Sequence, residues 1–450
     1  SVIKFLENII EDRLSKEESW QEIKETNPNL TFRIVNNGGL LCRYPTVVEK
    51  IASIRNNAVT NNGGICLVTG KRGTIKTLHT AIKGVYGAQS SGANIVSFNL
   101  DAFRSYGKVQ GYNSPVGVEA EFAYTTAINT LLGKDSSQRM TIGDASTVFW
   151  SEKRSSFESD FSFFFSEPEK DNPDAGTQKV KSLFESVKSG TYKEDEGNTR
   201  FYILGLAPNA ARISVRFWQA GTISDFATRI RQYFEDFTII KPPKEPEYYS
   251  IWRILVNISV QDKSENIPPN LAGDFMRSIL EDSPYPSTLL HAAIRRIHSD
   301  TEFRVKPVRA AVIKAYLNRF YRYYPKNNYK EVAMVLDTAQ PSIGYQLGRL
   351  FATLEKIQEE ANPGINATIR ERFYGAACSV PVTVFTNLIR LKNHHLAKLE
   401  NKGRVINFER LLGEIMSHIK CFPAHLDLHE QGLFAIGYYH QRQSFFTSKE

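Results

Sequence analysis

Apolar and polar positions follow two different rhythms along this 450-residue chain. In the first half the apolar runs are short and of mixed period. ICLVTG, ANIVSFNL and STVFWSE are β-type runs bounded by Gly, Ser and Asn. EFAYTTAINTLL, between the last two, spaces its apolar residues as a helix does, and helical spacing also fits residues 1–23. RFYILGLAP and RISVRFW alternate like the two strands of a hairpin, and ISDFATRIRQYFEDF follows as a helix. FSFFFSE, residues 161–167, reads as buried strand or as a partner surface, with core the plainer reading. Residues 166–199 read as exposed loops around one short helix, TQKVKSLFESVK. After KPPKEPEYY, residues 241–249, the texture becomes helix upon helix. Leu347, Leu350, Phe351, Leu354 and Ile357 mark one buried stripe; Leu388, Leu391, Leu396 and Leu399 suggest another. Asp427 with Glu430 resembles a capping box at the start of LHEQGLFAIGYYHQRQ. The pattern predicts an α+β N-terminal domain, 1–245, followed by an all-α helical-bundle C-terminal domain, 246–450. The stiff Pro-rich stretch is the expected boundary, and no internal repeat is present.

Charge sharpens this division. The net charge is +8, with 30 Lys+Arg against 29 Asp+Glu in residues 1–250 and 26 against 19 in 251–450. The surplus is densest in 291–326, where nine basic residues face two acids. Such a local field suits a polyanion, and equally describes a solvated basic face. Four cysteines lie far apart without a C-x-x-C, which fits a reducing cytosol and argues against a disulfide framework or zinc knuckle. No apolar run approaches the roughly 18–20 residues of a membrane span. The amphipathic, acidic start is not a signal peptide, and the missing initiator Met reads as a chain without its natural N-terminus.

One stretch imitates a catalytic motif. CLVTGKRGTIKT, residues 66–77, would be a phosphate-binding loop if Ile75 were Gly. The second Gly of that motif lets backbone N–H groups close around phosphates, a geometry a β-branched residue resists. The magnesium-binding acid that such a hydrolase needs at a strand end is not evident either. The embedded GKRG also matches a backbone clamp only weakly, because it follows a strand instead of joining helices. A basic turn of Lys71, Arg72, Lys76 and Lys83 remains, contacting phosphate or simply solvated. The next segment, GVYGAQSSGANIVSFN, sets Gly84, Gly87 and Gly92 around Gln89, Ser90, Ser91 and Asn94. Glycines admit close backbone approach, and Gln or Asn can bond base edges; the plain alternative is a glycine-rich turn. IKAYLNRFYRYYPK, 313–326, interleaves aromatic and basic residues, as single-strand grooves do and as charged core helices also do. His425 and His429 lack the Glu of an inverted zinc-protease motif, since Leu428 stands there; with His394, His395 and His440 they read as structural or surface residues.

The strings that carry a family likeness are CLVTG, IKGVYGAQSSGANIVSFNLDAFRSYGKVQG, FAYTTAINTLL, FYILGLAPNAARISVRFW, SPYPSTLLHAAIRRI, YQLGRLFATLEKIQEEANPGINATIRERFYGAACSVP and FPAHLDLHEQGLFAIGYYHQRQ. They resemble the large subunit of the type I-C Cascade, the RNA-guided CRISPR surveillance complex. The likeness runs from about residue 60 to the C-terminus, broken at 151–199, with residues 1–60 matching loosely. It implies a protein without catalysis, metal or cofactor. Its partners would be CRISPR RNA, target double-stranded DNA and its displaced strand, and the backbone, handle-binding and small subunits. The large subunit of that family recognises the protospacer-adjacent motif, helps open the duplex and recruits a helicase-nuclease. Its C-terminal bundle resembles the small subunit, and a further N-terminal region usually precedes the part seen here.

Residue type and loop position then suggest a division of labour. Gln89, Ser90, Ser91 and Asn94 are expected to read or wedge the adjacent motif. Lys71, Arg72, Lys76, Lys83, Arg104 and Lys108 are expected to bind nearby phosphates. Arg295, Arg296, Arg309, Lys314, Arg319 and Arg322 are expected to guide the displaced strand. The rival readings are a nucleotide-dependent remodelling enzyme using residues 70–77 and a purely structural adaptor.

Overall fold

The computed structural model describes residues 15–17, 19–26, 31–33, 39–57, 63–165, 185, 197–300, 304–326 and 329–446. Of the helix expected near 1–23, residues 1–14 fall outside the described residues, as does all of TQKVKSLFESVK except Glu185. The chain forms two compact units, Ser1–Thr80 with Val96–Tyr124, and Ala81–Ile95 with Thr125–Glu450. The Pro-rich connector therefore lies inside the second unit, not between units.

In the first unit, helices α1 (Trp20–Thr26) and α2 (Pro45–Asn57) precede a short antiparallel pair, β1 (Gly63–Ile65) and β2 (Arg72–Thr74). ICLVTG is thus strand only as far as Ile65. The Cys66 N–H bonds the Lys71 carbonyl at 2.9 Å and the Gly70 N–H bonds the Cys66 carbonyl at 2.8 Å, closing a turn. Gly70 has φ +68°, which explains a glycine there. Buried Ile75 bridges Gly117 beyond β2. Helix α3 (Val118–Leu131) begins in this unit and ends in the second.

The second unit is built on an antiparallel sheet of order β3-β4-β5-β6: Arg139–Ile142, Ala145–Ser151, Arg200–Asn209 and Arg212–Thr222. Alternation assigns the faces. Phe149, Phe201 and Phe217 turn to the main core, where α4 (Phe157–Phe165) and α5 (Ile223–Asp236) cover them. Phe161, Phe164 and Phe165 of FSFFF are buried as the core reading expected, but on a helix, because Phe157, Phe161 and Phe164/Phe165 recur at helical spacing. ANIVSFNL supplies only isolated bridges, Ala93 to Ile82 and Asn94 to Arg212, because the chain passes to the first unit at Val96. The α5 N-terminus carries a complete capping box between Thr222 and Asp225.

Helices then follow as the sequence predicts: α6 (Ile251–Ile258), α7 (Pro269–Glu281), α8 (Ser287–Ser299), α9 (Pro307–Tyr323), α10 (Ile343–Ala361), α11 (Ile369–Ser379), α12 (Pro381–Ala397), α13 (Lys402–Ser417) and α14 (Leu428–Ser444). One apolar core runs through sheet and bundle, from Met140 to Tyr439. At its centre α10 and α14 pack closely. A Cβ on Gly348 would lie 2.0 Å from the Phe434 carbonyl oxygen, and one on Gly437 2.0 Å from that of Tyr345. The stripe Leu347, Leu350, Phe351, Leu354 and Ile357 is wholly buried, as expected. Leu388 and Leu396 are buried too, whereas Leu391 is exposed. The capping box at α14 is only half formed. The Asp427 carboxylate accepts the Glu430 N–H at 2.8 Å, but Glu430 turns away to accept from Ser342 Oγ (2.6 Å) and the Gly344 N–H (2.7 Å), tying the starts of α14 and α10 together.

Candidate nucleic-acid interface

The glycine-rich segment is a rigid, closed loop in the second unit. Ile82 and Ala93 exchange both backbone hydrogen bonds (2.9 and 3.0 Å), so residues 83–92 are pinched at their base. Two turns follow inside, Val85–Ala88 and Gln89–Gly92, each closed by its backbone bond (3.1 and 2.9 Å). Gly87 (φ +76°) and Gly92 (φ +91°) occupy left-handed positions, and a Cβ on Gly92 would strike the Ile82 carbonyl at 2.7 Å. Val85 is buried as an anchor, and the Tyr86 N–H bonds Ser146 Oγ at 2.8 Å. Gln89, Ser90 and Ser91 are left exposed at the tip. Asn94 is instead part of the framework: half-buried, it bridges Arg212, and its carbonyl accepts the Ile213 N–H at 3.0 Å. Lys83 is exposed on the same loop. Tyr86, 77% exposed between fixed neighbours, was invisible to a reading that looked only for polar loop residues.

The remaining phosphate candidates belong to the first unit. Lys71 and Arg72 are exposed at the hairpin, beside Leu67 and Val68, which are 67% and 68% exposed. Arg104 and Lys108 are also exposed and flank Tyr106, which is 98% exposed at φ +55°. Arg104 is paired with Asp101 at 3.2 Å. Lys76 is partly committed inward: its ammonium faces the buried Glu121 carboxylate at 3.8 Å, which also accepts the Thr80 N–H at 2.5 Å. Beside them His79 Nδ1 bonds the Tyr124 hydroxyl at 2.5 Å. Burial lowers the His79 pKa despite Glu121, and burial and Glu121 together raise the Tyr124 hydroxyl to about 12.

GKRGTIKT does not build a phosphate loop. Residues 72–74 are strand, Ile75 continues into a bridge, and no helix starts after Lys76 whose N-terminus could face a phosphate.

The basic density at 291–326 turns out to be mostly interior. Arg309 has no exposed side chain; it pairs with Asp262 (2.9 Å) and Asp300 (2.8 Å) and bonds the Asn257 and Arg304 carbonyls. Arg319 is buried against Asp236 (3.4 Å), Asp282 (3.0 Å) and the Ser278 and Ser283 carbonyls. Lys314 is buried and bonds the Asp236 carbonyl at 3.0 Å; burial lowers its pKa. These three are corrected from strand contacts to structural cations, because a buried charge needs its partners and cannot also face solvent. Arg296 is largely covered and bonds Asp262 at 3.1 Å. Burial alone would raise the Asp262 carboxyl, but Lys306, Arg296 and Arg309 hold it below its usual range. Arg322 keeps partial exposure while pairing with Asp236 at 2.5 Å, next to exposed Tyr323 and Tyr324. Arg295 is exposed.

The exposed cations of the bundle lie elsewhere. On α12 and its C-terminal cap, Arg390 and Lys398 follow one another at helical spacing, with exposed Asn387, Leu391 and His394 beside them. On α13, Lys402 and Arg410 do the same with exposed Ile406. Lys392 crosses to Glu409 at 3.1 Å and joins the two helices. The histidines are mixed: His425 is exposed, His429 bonds the Tyr321 hydroxyl at 2.8 Å, and His440 is buried against the Tyr345 hydroxyl at 2.9 Å. Among the described residues no group of His, Cys, Asp and Glu could hold a metal ion, and no helix is long and apolar enough to cross a membrane.

The CRISPR-associated protein family Cas_Csd1 matches residues 1–446. The chain belongs to this family. The match includes residues 1–60 and 151–199, where the resemblance of short strings fades. No curated protein matches the chain. Membership makes the chain a Csd1-type large subunit of a CRISPR Cascade, and so a component of a CRISPR ribonucleoprotein.

Proposed function

We propose that the chain is the non-catalytic large subunit of a type I-C surveillance complex. It reads the protospacer-adjacent motif in duplex DNA, assists opening, holds the displaced strand and recruits a helicase-nuclease. The observation that carries the reading is the pinched glycine loop, which offers Gln89, Ser90 and Ser91 to solvent on a fixed frame within a chain of this family. Guide pairing reads most of a target, so the protein needs only a short protein-read motif, and a small rigid loop suffices. Gln89 and the two serines supply base-edge bonds. Tyr86 is the stacking or wedging group of the loop. On the loop itself Lys83 takes a phosphate; in the first unit, taken by itself, Lys71, Arg72, Arg104 and Lys108 take phosphates and the exposed Leu67–Val68 turn offers an apolar wedge. The displaced strand is assigned to the exposed cations of α12 and α13, with Arg295, Arg322 and Lys326 as further contacts.

The nucleotide-dependent rival is disfavoured by the strand geometry of residues 72–75. The adaptor reading predicts that DNA recognition is indifferent to these surfaces. Assembling the complex with and without this chain, and measuring binding to duplexes with intact or scrambled motif, tests the proposal. Discrimination should vanish without the chain; discrimination that persists would refute it.

A further inference from the structure

The sheet face of the second unit turned away from the main core buries Val148, Leu204 and Leu206, but toward one end it carries three aromatic side chains that the main core does not use, Trp150 and Tyr202 half-buried and Trp218 exposed. Trp150, Tyr202 and Trp218 come from β4, β5 and β6. Phe149, Phe201 and Phe217, on the opposite face, already fill the core. The register pairs Trp150 with Tyr202 and Leu204 with Trp218, which puts all three rings on one side. Their centroids lie 5.4 Å (Trp150–Tyr202), 5.8 Å (Tyr202–Trp218) and 5.7 Å (Trp150–Trp218) apart. The first two pairs are nearly parallel, at 24° and 26°. Trp218, on the edge strand, is 48% exposed, and Val215 and Ala220 beside it are exposed too. An open aromatic cluster on an edge strand costs solubility unless something covers it.

We infer that Trp150, Tyr202 and Trp218 form a stacking platform for unpaired bases of a single-stranded nucleic acid. Near-parallel rings offer a stack that a base can continue, and every base has such a face. The rim matches a phosphate backbone. Arg200 precedes Tyr202 on the same face of β5, and Lys153 and Arg154 leave the end of β4; all three are exposed, and among the described residues there one acid, Glu152, is exposed beside them. Arg216 is not counted, since Asp144 neutralises it at 3.0 Å. A four-stranded sheet with aromatic residues on its open face is also how a common RNA-binding module holds two or three bases. The inference does not rest on motif reading, because it needs only a single strand, RNA or DNA.

The test uses the full chain with fluorescein-labelled decathymidylate, decauridylate and an abasic decamer of the same charge. Wild type should bind at least one base-bearing decamer roughly tenfold more tightly than the abasic one, with quenching of tryptophan fluorescence. Whichever sugar binds better identifies the strand. Trp218→Ala should bring the base-bearing decamers to the abasic level, and Trp218→Phe should restore most of the difference. Because Trp218 is half exposed, both variants should keep the wild-type thermal midpoint. Equal binding of base-bearing and abasic decamers by wild type would overturn the inference. So would an undiminished difference in folded Trp218→Ala.

Discussion

At the residue scale, the decisive distinction is between cations that hold the bundle together and cations that face solvent. Arg309 and Arg295 stand in the same basic stretch, and sequence treats them alike. The structure buries Arg309 between Asp262 and Asp300 and leaves Arg295 outside. Removing the Arg309 guanidinium empties a fully buried site and takes the closest cation from Asp300 and one of three from Asp262. Arg309→Ala should therefore cost about 3–5 kcal/mol, whereas Arg295→Ala should stay within about 0.5 kcal/mol; urea unfolding of both variants checks this. Sequence pattern does not separate them, because burial of Arg309 depends on tertiary partners: Asp262 lies before α7, 47 residues from Arg309, and joins the nearer Asp300 only in the fold. His440 gives a second prediction. Burial, with Lys314 nearby, lowers its pKa to about 4 despite Asp337. Between that value and an unfolded value of about 6.5 the unfolded chain binds the extra proton, so this group's contribution is complete above pH 6.5 and is lost as pH falls toward 4. The loss over the whole window is about 3 kcal/mol. Unfolding at pH 7 and pH 5 should show a steeper fall for wild type than for His440→Gln, and equal slopes would contradict this.

At the scale of elements, the helix periods were legible and their partnerships were not. The Leu347–Ile357 stripe predicts the buried face of α10 because that helix is enclosed. The Leu388–Leu399 stripe is only partly buried, because α12 lies at the periphery and turns Leu391 outward. Glu430 shows how tertiary contact overrides a local motif, leaving the capping box for Ser342 and Gly344 on another helix. The close approach of α10 and α14 was likewise hidden, since a helical glycine reads the same whether it faces backbone or water. Gly348→Ala must push against the Phe434 carbonyl, which has no rotamer to change, and should cost about 3 kcal/mol or more. Gly413→Ala on α13 meets nothing within 4 Å and should stabilise by about 1 kcal/mol. Thermal unfolding of the pair checks both signs. A Gly348→Ala variant as stable as wild type would mean that α10 and α14 do not pack backbone to backbone.

At the scale of the whole molecule, the sequence divides by texture and the structure divides by chain path. Helical texture does begin near residue 250, but the α+β sheet and the bundle share one core, so the textural border is not a border between compact units. The glycine loop, 81–95, departs from the first unit and belongs to the second, which no local signal marks. What the sequence did reveal is the loop itself: its glycines sit where left-handed backbone requires them, and its polar tip is exposed. The most direct measurement is therefore target-DNA binding by the assembled complex carrying a Gln89→Ala, Ser90→Ala, Ser91→Ala triple substitution. Intact and scrambled adjacent motifs are compared at one fixed salt concentration. The account predicts that affinity for the intact motif falls about tenfold or more, toward that for the scrambled one, while the chain still assembles. Undiminished discrimination by the assembled triple variant would contradict it.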